Sequence, residues 1–384
     1  MAEPLKAMYN RTFITQFGAL VQSEWTSFEA NRFTALVMAD GWDELELKGR
    51  IRRITESLGE TLPAEYIKAL DVLFAIDERC VGFPYLFFPD FVEVYGADHW
   101  ELSMKALERF TSRSSAEFAI RPFLLAQTDR TMAQMRQWAQ SDSEHVRRLA
   151  TEGCRPRLPW APALPMFKRD PSAILPILEQ LKCDPSLYVR KSVANNLNDI
   201  AKDHPDIVRE LAAQWVGKHT WTDWIVRRAC RSLLRSADPT TLALFGYEGE
   251  VAASSVRAAS LDAEQADARI GEKTRLRYSI DIHSQVPLKL RVELGVDYVK
   301  ANGKVSQKRF LLMDRTIAQG QRVEGKKQLD WKDLSTRKHY PGQHRLLLVV
   351  NGQAVTETVV ALQAVESDGQ REAPIDVQGQ VKHL

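Results

Sequence analysis

One short phrase, used three times, limits what the first two-thirds of this chain can be. Val146-Arg147-Arg148, Val189-Arg190-Lys191 and Val226-Arg227-Arg228 each sit in a helical pattern, and their valines are 43 and then 37 residues apart. A short polar stretch suited to a helix N-cap precedes each: Asp142-Ser143, Asp184-Pro185-Ser186 and Thr222-Asp223. A period near ~40 residues with two helices per unit is that of a HEAT-like solenoid. Such repeats bury a continuous core between neighbours and leave a long concave surface for a partner.

Helical spacing extends over roughly the first 245 residues, as in Trp100–Phe110 and Ala173–Leu181, with Pro and Gly at the breaks. Beyond Ala266 the pattern turns to alternation, in Thr274–His283, Leu288–Val299, Lys308–Leu312 and His344–Val350. Asn302-Gly303 and Asn351-Gly352 lie between such runs, where a tight hairpin needs positive φ. Six or seven strands in about 110 residues suggest an immunoglobulin-like sandwich, although strand count alone does not separate it from other small β folds. The expected fold is therefore mainly α, a HEAT-like helical-repeat solenoid followed by a small all-β sandwich. The expected boundaries are a helical-repeat domain over 1–250, a linker over 251–267, the β domain over 268–365 and a disordered tail over 366–384.

At 44% hydrophobic and 27% charged, the chain is not a largely disordered one. No apolar run is long enough for a bilayer, and the start of the chain lacks a signal-peptide core, so a cytoplasmic, nucleoid-associated, bacterial-type protein is expected. Cys80, Cys154, Cys183 and Cys230 are far apart with no CxxC, which argues against a disulfide framework or a zinc site. Neither a metal nor a cofactor is expected. With no evident dimer stripe, the default state is a monomer.

The net charge of +2 conceals a marked asymmetry. Residues 140–235 carry +5 and residues 268–345 carry +10, separated by an acidic stretch of −5 over 236–267. Two basic blocks suit a polyanion, but lysine-rich strands also serve simply as soluble edges.

On a helical wheel the segment from Val146 turns Arg148 and Glu152 away from its apolar face, one turn apart. The segment from Val189 places Ser192, Asn195, Asn196, Asp199 and Asp203 opposite its core face. The segment from Val226 exposes Arg227, Arg228, Arg231 and Arg235, preceded by Lys218, His219, Trp221 and Trp224. Such a row suits phosphate contact; a solvated face balanced by a neighbour is the alternative, and the use of Arg rather than Lys and the residues just before the row count against it. Arg155–Pro165 packs four prolines into eleven residues, so it is a stiff extended loop carrying Leu158 and Trp160 between arginines. Trp160 is then either a wedge against a base stack or a plug for the core beneath the loop.

Several of these stretches match a known family. HVRRLATEGCRPRLPWAPAL (145–164), SVANNLNDIAKDHPD (192–206), WIVRRACRSLLRS (224–236), EFAIRPFL (117–124) and VDYVKANGKVSQKRF (296–310) resemble the AlkC family of HEAT-like DNA alkylation-repair glycosylases. The resemblance runs from about residue 80 to residue 320, and residues 1–80 add helical packing only. It implies excision of the cationic N3-methylated bases 3-methyladenine and 3-methylcytosine from duplex DNA, in base excision repair, without a deep base-flipping pocket. It implies catalytic roles near the sugar for Glu117, Glu152 and Asp199, with Asp203 as a further carboxylate. Lesion or DNA contacts would come from Trp160, Arg148 and Arg155, joined by Arg157, Asn196, Lys202, Trp221, Arg227, Arg228 and Arg231. In the β domain, Lys300, Lys304 and Lys308 around the Asn302-Gly303 hairpin would form a second DNA contact.

The chemistry suits those residue types. A base that already carries positive charge leaves without protonation, so the enzyme stabilises the cationic sugar and positions a water, and a carboxylate does both. A Trp face attracts the cationic base and not its neutral counterparts. The competing expectation from another class is a non-enzymatic HEAT scaffold that binds DNA or protein, in which Glu152 and Asp199 are ordinary salt bridges and caps.

Overall fold

The computed structural model describes residues 4–318, 320–334 and 337–364, so the expected tail lies outside the described residues. The chain divides into two compact units, Met1–Leu233 and Leu234–Leu384.

In the first unit, helices Trp100–Thr111, Glu144–Glu152, Leu187–Ile200 and Thr220–Ala229 form one row, each packed on the next. Thr128–Trp138, Leu175–Leu181 and Pro205–Trp215 make the row behind it. The recurring phrase supplies both layers of this contact. Its valines, Val146, Val189 and Val226, are all buried. In the first two copies the middle arginine ties the helix to its own entry turn: Arg147 Nη1 donates to the carbonyls of Ser141 and Asp142 at 2.9 and 2.8 Å. Arg190 Nη1 does the same to Asp184 and Pro185, at 2.8 Å each. Arg147 also grips Asp184 of the following repeat at 2.7 and 3.1 Å, which links one repeat to the next. These carbonyls at a helix entrance have no strand or helix partner, and the guanidinium satisfies them.

Four local expectations are corrected. The polar stripe on Leu187–Ile200 does not face solvent: Ser192, Asn196 and Asp199 are at most 2% exposed, because a solenoid helix is covered on both flanks. Asp203 lies beyond the end of that helix. Helix Thr220–Ala229 starts earlier than expected, with the His219 ring accepting from Trp221 N at the N-cap, so Thr222 and Asp223 lie within its first turn. It also ends before Arg231, which begins the separate helix Arg231–Arg235, so the arginines form no single continuous row.

The second unit opens with helices Pro239–Leu244 and Gly249–Ser254. Eight strands follow: β1 Val256–Ala263, β2 Asp267–Arg269, β3 Lys273–Ile282, β4 Leu288–Val299, β5 Val305–Ile317, β6 Arg322–Asp330, β7 Gly342–Val350 and β8 Gln353–Gln363. The stretch 251–267, expected as a linker, thus holds β1 and the first residue of β2. The small residues of β1 (VRAASLDA) carry no strong alternation, which is why composition read them as a connector.

The strands form two sheets, β1-β3-β6 and β2-β8-β7-β4-β5, antiparallel except for the short β2–β8 pair. Their inner faces meet over Leu276, Ile280, Leu290, Leu294, Leu346, Leu348 and Trp331. Both expected Asn-Gly turns are hairpin turns, joining β4 to β5 and β7 to β8. At the second, Asn351 and Gly352 have φ of 45° and 88°, the positive values a two-residue hairpin requires.

Candidate active site

Glu152 is the last residue of its helix, and Gly153 lets that helix end seat closely on its neighbours. A Cβ at Gly153 would fall 2.5 Å from Ile120 Cγ2 and 2.9 Å from Met135 Cε, so a larger residue would have to displace these neighbours. Cys154 follows, fully buried, and then the proline-rich loop. The carbonyls of that loop, left without donors by its prolines, converge on buried Arg121. Its guanidinium donates to Gly153 O and Arg155 O at 2.9 Å each and to Pro162 O at 2.5 and 3.1 Å. Burial pulls the Arg121 pKa down to about 10, which leaves the group charged at neutral pH.

Leu158, not Trp160, is the loop's core plug. Trp160 is 61% exposed, so of the two roles open to it the structure leaves the free face. It stands at the third corner of a turn closed by Ala161 N on Leu158 O, with Pro159 at the second, and its φ is +63°. Gly or Asn is usual at such a corner, and a bulky side chain there is strained.

Between loop and helices run six alternating charges: Glu117, Arg148, Glu152, Arg155, Asp199, Lys202. Arg148 donates to Glu117 at 2.7 and 3.3 Å and lies 3.7 Å from Glu152 Oε1. Arg155 Nη1 donates to Glu152 Oε1 at 2.6 Å, and Arg155 Nε donates to Asp199 Oδ2 at 2.8 Å. Lys202 Nζ donates to Asp199 Oδ1 at 2.9 Å. Ser192 Oγ holds the second oxygen of Glu152 at 2.6 Å. Burial opposes charge on Arg148 and Arg155, yet their carboxylate partners outweigh it and raise both pKa values. Such a chain costs desolvation that few structural roles require.

A cleft of about 610 Å³ opens over part of this chain. Glu117, Arg148, Glu152, Arg155 and Trp160 all line it, together with Phe83, Phe118 and Tyr188. Asp199 sits behind, reaching the cleft only through Arg155. Asp203 pairs instead with Arg157 at 2.7 and 3.2 Å, away from the cleft lining, and that guanidinium keeps its carboxyl below the usual carboxylate range.

Asn196 is corrected from DNA contact to core residue: it is 0% exposed and donates to Thr151 O at 2.8 Å. Trp221 is partly exposed with Arg190 stacked on it at 4.7 Å, Arg228 lies 5.6 Å over Trp224, and Arg231 donates to Asn195 Oδ1 at 3.2 Å. Arg227 is half-buried on helix Thr220–Ala229, which also carries Trp221, Trp224 and Arg228. In the second unit Lys300, Lys304 and Lys308 are exposed around the β4–β5 turn.

Sequence reasoning missed Arg121, Tyr188 and the partnership of Ser192. A lone arginine within the apolar run AIRPFLL was the available signal for Arg121. Tyr188, beneath Arg148 at 4.7 Å, carried none. Among the described residues no three His, Cys, Asp or Glu side chains gather as metal ligands. Nor is any helix there long and apolar enough to cross a membrane.

A family model for the DNA alkylation repair enzymes matches residues 90–233, which contain most of this cleft's lining. A second, for the C-terminal Ig-like domain of YhaZ proteins, matches residues 257–364. YhaZ of Bacillus subtilis (strain 168) is 47% identical over 91% of this chain and 96% of its own length. The structure of Pseudomonas fluorescens alkylpurine DNA glycosylase AlkC, bound to DNA containing an abasic site analog, is 38% identical. That likeness covers 94% of this chain and all of the other, with a TM-score of 0.88.

Helical repeats, the charged cleft and the Ig-like unit together define a DNA alkylation-repair enzyme of the helical-repeat class. Within that class the chain belongs to the AlkC family of alkylation-repair DNA glycosylases.

Proposed function

We propose that this chain removes cationic N3-alkylated bases, 3-methyladenine and 3-methylcytosine, from duplex DNA by carboxylate-assisted hydrolysis of the N-glycosidic bond. The observation that carries the reading is the convergence of two oriented carboxylates, Glu117 and Glu152, and one exposed indole, Trp160, on a single cleft. The bond between the sugar C1′ and the base nitrogen breaks with its electron pair going to the base, which leaves neutral. Positive charge then develops on the sugar, and a preorganised carboxylate stabilises it without reorganising. Water adds to C1′ and gives its proton to the carboxylate.

Glu152 is best built for this task. Arg155 and Ser192 hold both its oxygens, and each oxygen retains a further lone pair. Asp199 acts through Arg155, Glu117 acts beside Arg148, and Asp203 contributes charge from the Arg157 pair. Trp160 selects the charged base by a cation–π contact of roughly 1–2 kcal/mol once water is excluded. Arg148 and Arg155 present their remaining donors to the lesion strand, and Arg157, Lys202, Trp221, Arg227, Arg228 and Arg231 follow the backbone. Lys300, Lys304 and Lys308 form a second phosphate contact. The enzyme works as a monomer in the cytoplasm, on the nucleoid.

The test is product identification. Purified protein is incubated with methylated duplex DNA and the released bases are separated by mass. Free 3-methyladenine and 3-methylcytosine, with no unmodified base, is the expected result. Tight, salt-sensitive DNA binding without any released base would instead make the molecule a scaffold.

A further inference from the structure

Trp160 pairs a strained backbone with an exposed ring, so something must hold it. The loop on its two sides is fixed by Arg121 and by buried Leu158, but among the described residues neither hydrogen-bonds Trp160 itself. The residue's own carbonyl accepts from Lys48 Nζ at 2.8 Å, across 112 positions of sequence. Lys48 lies in the first turn of helix Leu47–Thr61, and its ammonium is 4.8 Å above the ring of Phe118, which also lines the cleft. It therefore touches two walls of the site while lining none of the main cleft itself. A second hollow of about 440 Å³, bordered by Leu5, Leu47 and Lys48, also has Trp160 in its lining. Trp160 thus borders two spaces, and its side chain is mostly exposed. Residues 1–80 carry no site residue in the sequence, and Lys48 lies outside the stretch matched by the alkylation-repair family model.

We infer that Lys48 is a positioning residue for Trp160: its ammonium holds the Trp160 carbonyl in the left-handed turn and so fixes the indole plane over the cleft. The helix Leu47–Thr61 then contributes to the site through Lys48. A positively charged, long side chain is required, because only a cation donor strengthens a bond made at a partly wet surface. Arginine can substitute and methionine cannot. The kinetic part of this inference rests on the glycosylase reading, but the conformational part does not.

Full-length protein labelled with 5-fluorotryptophan provides the test, with Trp160→Phe assigning the Trp160 resonance among the nine tryptophans. Lys48→Met is expected to shift or broaden that resonance alone, and Lys48→Arg to restore it. Single-turnover base release should slow about fivefold in Lys48→Met, and the effect should vanish in a Trp160→Ala background. The salt dependence of DNA binding should stay unchanged. An unmoved resonance, or a salt slope reduced by about 0.9, would overturn the inference, the latter because Lys48 would then be a phosphate contact. A shifted resonance in a protein that releases no base would keep the positioning role and remove the glycosylase reading.

Discussion

Arg155 Nη1 donates to Glu152 Oε1 over 2.6 Å, with both side chains 8% exposed. The same guanidinium reaches Asp199, so one cation fixes two buried carboxylates drawn from two successive repeats. Neither carboxylate is stable alone in that setting, since burial of an unpaired charge is far more costly than a paired one. The pairing explains how a helical-repeat protein, with no strand ends or nucleophile elbow to work with, holds a carboxylate ready at a cleft.

Removing the bridge should therefore unfold more than it disables. Arg155→Met leaves Glu152 and Asp199 facing each other without a guanidinium and should lower stability by roughly 3–5 kcal/mol. Urea denaturation followed by far-UV circular dichroism measures it. A loss below about 1 kcal/mol, the range of exposed ion pairs, would show that the chain of charges is solvated.

Trp160 should behave in the opposite way. Its ring is mostly exposed and its backbone strained at a cost of order 1–3 kcal/mol, so Trp160→Gly should be at least as stable as wild type. The same variant should lose roughly 5–30-fold in discrimination between cationic and neutral bases. Competition kinetics with methylated and unmethylated duplexes gives that ratio. A destabilised Trp160→Gly would mean that the indole packs.

The three lysines of the β4–β5 turn are exposed, and among the described residues no carboxylate lies within ion-pair distance of them, so neutralising them should leave stability unchanged. If each meets one phosphate, the triple change Lys300→Gln, Lys304→Gln, Lys308→Gln should lower the log–log salt slope by about 0.9 per contact. Fluorescence anisotropy on a labelled duplex over a salt series reads it. An unchanged slope would assign these lysines to solubility.

Acid should weaken the β unit. His339 and His344 are buried beside Trp331 and Tyr298, and neither the His339 ring nor His344 Nδ1 finds a partner among the described residues. Burial lowers both pKa values, and Arg337 adds to the effect on His339 against the opposing pull of Asp333 and Asp330. The unfolded chain, titrating near the ordinary 6.5, binds these protons first, so stability is full above that pH and is lost as pH falls toward the lowered folded values. Thermal unfolding at pH 7.5 and 5 should show a drop in Tm that His339→Phe reduces. An equal drop in the variant would place the acid sensitivity elsewhere.

Much of the architecture was legible in the sequence. The recurring phrase marks the repeat because its valines are core residues in all three copies and its middle arginines, Arg147 and Arg190, bind the turn carbonyls in the first two. The Asn-Gly pairs mark hairpins because only a few residues adopt positive φ cheaply. Glu117, Arg148, Glu152, Arg155 and Trp160 were named from sequence and do share a cleft. The helical wheel failed for Asn196 and Ser192 because it assigns one buried face per helix, whereas a repeat helix is covered on both flanks. Composition failed for β1 because small residues carry little alternation. Lys48 and Arg121 act through backbone carbonyls, which leave no signature in side-chain pattern.

The most direct measurement of the central claim is single-turnover release of 3-methyladenine by Glu152→Gln beside wild type, with affinity for duplex DNA measured on the same preparations. The amide keeps the shape and the Ser192 and Arg155 neighbourhood of Glu152 while removing its charge. Base release reduced at least about a hundredfold, the low end for loss of a general base, with affinity changed less than about threefold, is the expected result. Equal release by both proteins would contradict the assignment of Glu152 as the carboxylate that carries the reaction.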